Sequence, residues 1–208
     1  MSGSPPRIFL LSPARSDGER AQILYNPGAR FELALRLREG QASLAEVFTF
    51  LSGLYFRGKI AYARAFARPP RSLPGVFVIT PNEGIRLVDE AVDLERLRSF
   101  ARGDIDLSRE SYRGPLLRDA NTILQVYGPG CEVVLLGSVA SGKYADALVK
   151  VFGDRLLFPV TFVGRGDMSR GGLLLRCVDS GQELEYAPVA GAVRHGPRPP
   201  RLLPRRRP

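Results

Sequence analysis

The sharpest chemical signal in the sequence is Gly137-Ser138-Val139-Ala140-Ser141-Gly142-Lys143. It follows an apolar run, Glu132–Leu136, and opens a segment with helical patterning, Gly142–Phe152. Glycines in such a turn let backbone N–H groups approach phosphate oxygens. The head of the following helix adds partial positive charge, and a lysine adds a full one. Gly137, Ser138, Ser141, Gly142 and Lys143 are therefore expected to cradle an anion. A Gly/Ser turn required only for tight strand-to-helix packing is the competing reading. Arg15, Arg165 and Arg170 are candidate further cations. The last two lie in a loop with four glycines between residues 164 and 172. Guanidinium groups can grip a phosphate or carboxylate through two parallel hydrogen bonds. Asp167 stands between them and can hold one in place. A connection with solvated charges is the alternative there. Glu83 and Asp167 are the acid–base candidates if a reaction occurs.

Other chemistries have less support. Asp104 and Asp106 have a spacing that can hold a metal, but Arg102 and Arg109 flank them, which favours neutralised surface acids. Tyr112 and Arg113 lie nearby in sequence. Cys131 and Cys177 are isolated, and with one histidine they make no zinc spacing. Two buried thiols in a reducing compartment is the expected state. The only histidine, His195, lies near the C-terminus, so no Ser/His/Asp or Cys/His set is available.

The elements that must position these residues can be read from periodicity. Strands are expected at Arg7–Ser12, Gly75–Thr80, Glu132–Leu136 and Leu156–Val163, the last interrupted by Pro159. Helices are expected at 31–39, from a Ser43 cap with Glu46 as its reciprocal partner to Ala67, at 94–101, and at 142–152. Another is expected at 116–127, with Pro115 in its first turn. Leu173–Val178 and Glu183–Pro188, separated by Asp179-Ser180-Gly181-Gln182, suggest a C-terminal antiparallel hairpin. Strands separated by helices predict an α/β fold: one domain with a mixed, mainly parallel sheet covered by helices. Ligands of open α/β sheets bind at the carboxyl ends of the parallel strands. The loops beginning at Ser12, Thr80, Gly137 and Gly164 converge there.

Over seven residues, Gly137 to Lys143 resembles the phosphate-binding loop of P-loop NTPases. That family continues with Ser or Thr to bind magnesium, whereas this chain has Tyr144, and no later apolar strand ends in a metal-binding acid. A nucleotide hydrolase or kinase is what the resemblance implies. The departure favours an anion-binding turn without that chemistry. A second resemblance covers about the first 90 residues. Leu10-Leu11-Ser12-Pro13-Ala14-Arg15 is similar to the Leu-Ser-Pro-Ala-Lys start of the YaaA peroxide-stress family, and Leu51-Ser52-Gly53-Leu54-Tyr55 is similar to another of its segments. The stretch Val78–Gly84 is similar to segments of related small bacterial domains. The family's Pro-Tyr-Arg-Leu signature is missing, and the matching segments fall in a different order. The resemblance implies an α/β fold and DNA contact, and it transfers no catalytic residue.

With 208 residues, 44% hydrophobic and 25% charged, the chain has ordinary globular composition. A chain this long buries about 70% of its unfolded surface without a disulfide or metal. No stretch reaches the roughly 20 apolar residues of a membrane span. The start carries no secretory signal, and a cytoplasmic location is expected. Three lysines stand against 27 arginines, a skew that weakens any inference from a single surface arginine. The net charge of +9 is mostly terminal: residues 194–208 hold six arginines, five prolines and no acids. The rest carries 24 basic and 21 acidic residues, a net of +3. Met1–Pro6 is expected as a flexible lead-in, 7–193 as the domain, and 194–208 as a disordered basic tail. The expected partner is a phosphorylated small molecule or nucleotide. The rival is a non-enzymatic nucleic-acid-binding protein that uses the tail. No cofactor is specified, and neither enzymatic activity nor oligomeric state is fixed.

Overall fold

Ile8, Phe9, Leu10 and Leu11 are completely buried, because the strand they form runs through the centre of a sheet covered on both faces. The computed structural model describes residues 4–202. In chain order its elements are β1 (Arg7–Leu11), α1 (Glu19–Tyr25), α2 (Glu32–Arg38), β2 (Ala42–Ser43), α3 (Leu44–Ser52), α4 (Leu54–Phe66), β3 (Val76–Thr80) and β4 (Gly84–Leu87). Then follow β5 (Ala91–Val92), α5 (Leu94–Arg102), α6 (Glu110–Tyr127), β6 (Glu132–Leu136), α7 (Ala145–Phe152), β7 (Leu156–Pro159), α8 (Asp167–Ser180) and β8 (Tyr186–Pro188).

The main sheet has the order β4-β3-β1-β6-β7-β8. Its four inner strands are parallel, and the two edge strands are antiparallel to their neighbours. Alternation along the parallel strands divides the core. Phe9, Leu11, Val78, Val134 and Leu136 pack with residues of α3, α4 and α8, whereas Ile8, Leu10, Phe77, Ile79 and Leu135 pack with residues of α6 and α7. This is the α/β fold with a mixed, mainly parallel sheet that the sequence predicts. Among the described residues no helix is long and apolar enough to cross a membrane.

Several boundaries differ from the sequence expectation, each for a local reason. Leu173–Val178 is helix rather than strand. It belongs to α8, whose buried positions Arg170, Gly171, Leu174 and Cys177 follow helical spacing. The expected hairpin turn is the cap of that helix. Gly181 has φ 64°, its N–H bonds to the Val178 carbonyl, and Gln182 N–H reaches the Cys177 carbonyl at 3.0 Å. That is the Schellman arrangement. Its left-handed glycine serves a helix end as well as it would a hairpin. The antiparallel C-terminal strand is nevertheless present, as β8 on β7.

The helix expected from Ser43 to Ala67 is two helices. Gly53 takes φ 60°, and the Arg20 guanidinium occupies the space a Cβ would need there while Nη1 donates to the Phe50 carbonyl at 3.1 Å. Pro115 lies inside α6, which starts at Glu110. Tyr112 and Leu116 are both fully buried, and their packing offsets the cost of an interior proline. β7 stops at Pro159. The turn Gly142–Tyr144 precedes α7 instead of belonging to it.

Residues 194–202 have no regular secondary structure but lie against the domain. Gly164, at φ 71°, makes room for the Pro197 carbonyl, and a Cβ on Gly172 would lie 3.5 Å from Leu202 Cδ1. Residues 1–3 of the expected lead-in and 203–208 of the expected tail lie outside the described residues.

Candidate functional site

From β1 the chain passes to β3 on one side, then returns to β6 on the other, so the strand order reverses between β1 and β6. The carboxyl end of such a switch point is where loops diverge and leave a crevice. Ser12 follows β1 here, and Gly137 and Ser138 follow β6. A Cβ at Gly137 would lie 2.8 Å from both Ser12 Cβ and the Tyr144 hydroxyl, so only glycine lets the two loops meet this closely.

α4 directs Lys59 into this meeting point. Its Nζ donates to the Ser12 carbonyl at 2.6 Å and lies 3.0 Å from Ser12 Oγ. The side chain is 1% exposed, and the ammonium sits 4.5 Å and 4.6 Å from the ring centroids of Tyr55 and Phe56. Loss of hydration on burial pulls the Lys59 pKa down from 10.5 to about 7; Asp167 opposes this and Arg170 adds to it. Across Gly137, the Tyr144 hydroxyl accepts the Ser138 N–H at 2.9 Å. Burial raises its pKa, while hydrogen bonding from Ser12 and Ser138 opposes the rise. Burial likewise pushes the Tyr55 phenol upward, and its hydroxyl makes no hydrogen bond of good geometry among the described residues.

The other residues singled out from sequence fall into separate places. Gly142 is buried with φ 65°, and the Asp146 carboxylate occupies the position of its missing Cβ. Ser141, Gly142 and exposed Lys143 share a cleft of about 380 Å³ with Asp104, Asp106 and Asp146, one cation among three acids. Asp146 also pairs with Arg194. Lys143 borders a second cleft of about 490 Å³ with Arg15, Asp17 and Asp104. Arg15 is bound to Asp17 at 2.7 Å, and Asp104 to Arg109 at 3.0 Å. Charges therefore alternate around the turn. Among the described residues these acids, like every other set of His, Cys, Asp and Glu, are not grouped so that three could hold one metal ion. Glu83 accepts from Arg96 at 2.6 Å and lies 3.5 Å from Arg86, which commits it to ion pairs.

Arg165 and Arg170 diverge. Arg170 is buried, donates to the Phe162 carbonyl at 3.0 Å and approaches exposed Asp167 at 3.3 Å, so it clamps the turn before α8. Arg165 is held by Thr161 O at 3.0 Å and Ser169 Oγ at 3.1 Å. It lines a cleft of about 440 Å³ together with Arg176, Arg198, Arg201 and Ser169, and no acid lines that cleft. The first turn of α8 forms one wall and the C-terminal segment the other. Among the described residues, Arg198 and Arg201 have no ion-pair partner.

No protein-family model, curated protein or solved structure matches the chain. Function must be argued from these side chains.

Sequence reasoning assigned no role to Lys59, Tyr144, Arg176, Arg198 or Arg201 in a built site. A signal for Lys59 was present: it is one of only three lysines, and it shares the helical spacing of Tyr55, Phe56, Tyr62 and Ala63, all buried. A lysine on the apolar face of a helix needs a reason. The arginine cleft had no comparable signal. It joins α8 to residues at least 22 positions later, and only the folded chain brings them together.

Proposed function

We propose that this protein binds a phosphorylated small molecule or nucleotide in the cleft between the start of α8 and residues 198–202. The observation that carries the reading is the lining: four guanidinium groups and no carboxylate around about 440 Å³. Arg165, Arg198 and Arg201 repel one another across this lining, and an anion lying among them relieves that repulsion. A di- or triphosphate supplies that charge in a small volume. Its oxygens suit the planar donor pairs of arginine. Gly166, Met168 and Ser169 at the head of α8 also line the cleft, and the partial positive charge of a helix N-terminus acts in the same direction.

This reading keeps Arg165 as a ligand-binding residue and moves the centre of the site away from Gly137–Lys143, where three acids surround one lysine. A thermal-shift series with inorganic tripolyphosphate, ADP and a short DNA duplex tests it. The melting temperature is expected to rise with tripolyphosphate or ADP concentration, because a ligand that binds only the folded state stabilises it by mass action. The rise should disappear in Arg198→Ala/Arg201→Ala and persist in Lys143→Ala. Stabilisation by the duplex alone would favour the nucleic-acid alternative. Loss of the shift in the Lys143 variant but not in the arginine variant would return the site to the glycine turn.

A further inference from the structure

We infer that Ser12 and Lys59 form a nucleophile–base pair for acyl transfer, with Ser12 Oγ attacking the carbonyl carbon of an ester and Lys59 taking its proton. This site is separate from the arginine cleft, and the inference does not rest on ligand binding there.

Four observations converge on it. The pair stands at the carboxyl ends of β1 and β6, where the strand order reverses. Among the described residues, Lys59 hydrogen-bonds twice to Ser12 and to no carboxylate. A fully buried ammonium without an acid partner is costly, so the amine is readily available in its neutral form. A neutral amine has two N–H donors and one lone pair. One N–H is fixed on the Ser12 carbonyl at 2.6 Å, and the lone pair can accept the Ser12 hydroxyl proton across 3.0 Å. The faces of Tyr55 and Phe56 are within 4.6 Å of Nζ and stabilise the ammonium that proton uptake creates. Finally, the Tyr144 hydroxyl, which accepts from the Ser138 N–H and pairs with Ser12 before reaction, has its own proton to donate to an oxygen that becomes negative beside Ser12 once the Ser12 proton has moved to Lys59. Ser12 is 7% exposed and Lys59 1%, so the base lies deeper than the residue it serves.

The step balances without a cofactor. The Ser12 Oγ–carbon bond forms as its proton moves to Lys59 Nζ, and the carbonyl electron pair moves onto oxygen. Collapse breaks the ester C–O bond, and the leaving alcohol takes the proton back from Lys59. Water then adds to the acyl-serine with Lys59 again as base, which releases a carboxylic acid and restores Ser12.

A fluorophosphonate probe tests the pair in the full chain. Oγ should displace fluoride from phosphorus, leaving one phosphonyl group that peptide mass spectrometry assigns to Ser12. Ser12→Ala should take up none. Lys59→Met, which keeps the length and apolar stem, should label at least about 100-fold more slowly. Should Lys59→Met fold poorly, the wild-type labelling rate against pH replaces it. The rate should rise as Lys59 loses its proton, with Tyr55, Tyr144, Arg170 and Asp167 the titratable or charged groups facing it. Absence of label on wild-type Ser12, equal labelling of Ser12→Ala, or a rate independent of both pH and Lys59 would overturn the assignment.

Discussion

Gly58 of α4 and Gly171 of α8 meet backbone to backbone: a Cβ on Gly58 would lie 2.7 Å from the Gly171 carbonyl oxygen, and one on Gly171 would lie 2.6 Å from the Leu54 carbonyl oxygen. The contact is what lets two helices cross closely enough to set Lys59 beside Arg170. In an isolated helix, Gly58→Ala would gain about 1 kcal/mol of propensity. Here the clash is with backbone, which cannot rotate away, and overpacking should dominate. Gly58→Ala and Gly171→Ala are each expected to lower stability by about 1–3 kcal/mol. Gly130→Ala, with nothing within 4 Å of its Cβ, should change little. Urea midpoints of the three variants check the ordering.

Lys59 gives stability an unusual pH dependence. Its folded pKa, about 7, lies below the ordinary 10.5, so between those values the unfolded chain binds a proton that the folded one does not. Stability therefore rises with pH across that window, by up to about 1.4 kcal/mol per pH unit from this group. Lys59→Met removes this pH dependence. Urea unfolding of both proteins at about pH 7 and about pH 9 should show wild type gaining on the variant as pH rises. A constant difference would mean that the amine stays charged when folded.

The start of α3 should behave as a closed local unit. Ser43 Oγ accepts the Glu46 N–H at 3.3 Å, and the Glu46 carboxylate accepts the Ser43 N–H at 2.9 Å and Arg36 at 2.6 Å. Ser43→Ala is expected to cost about 1 kcal/mol in chemical denaturation. The Arg36 guanidinium, followed by the Ser43 N–H, holds the Glu46 pKa at about 2, below its ordinary 4.5. Its contribution is full above about 4.5 and is lost as pH falls through about 2. Glu46→Gln should therefore flatten the acid limb of stability in that interval, as read by thermal melts.

How far the sequence carries depends on the range of the interactions. The Ser43–Glu46 cap was legible because both partners lie within one turn. β1 and β6 were legible because a buried parallel strand is apolar on both faces. Leu173–Val178 was misread because a short apolar run beside a glycine has the same composition in a strand as in a capped helix, and packing of α8 against α4 decides between them. The loops gathered at the strand ends could be anticipated from strand order. Which of their side chains point inward could not. The spacing of Gly142 and Lys143 fits an anion turn, yet Asp104 and Asp106, brought there by the chain before α6, line the same cleft. Lys59 needed only the combination of helical phase and rarity to stand out, whereas its partner Ser12 lies 47 residues away.

Calorimetric titration of inorganic tripolyphosphate into the 208-residue chain at low ionic strength most directly tests the proposed ligand class. The account predicts saturable one-site binding, weakened about tenfold or more by Arg165→Ala and abolished in Arg198→Ala/Arg201→Ala. Absence of saturable binding to wild type, or undiminished binding to the double variant, would contradict it.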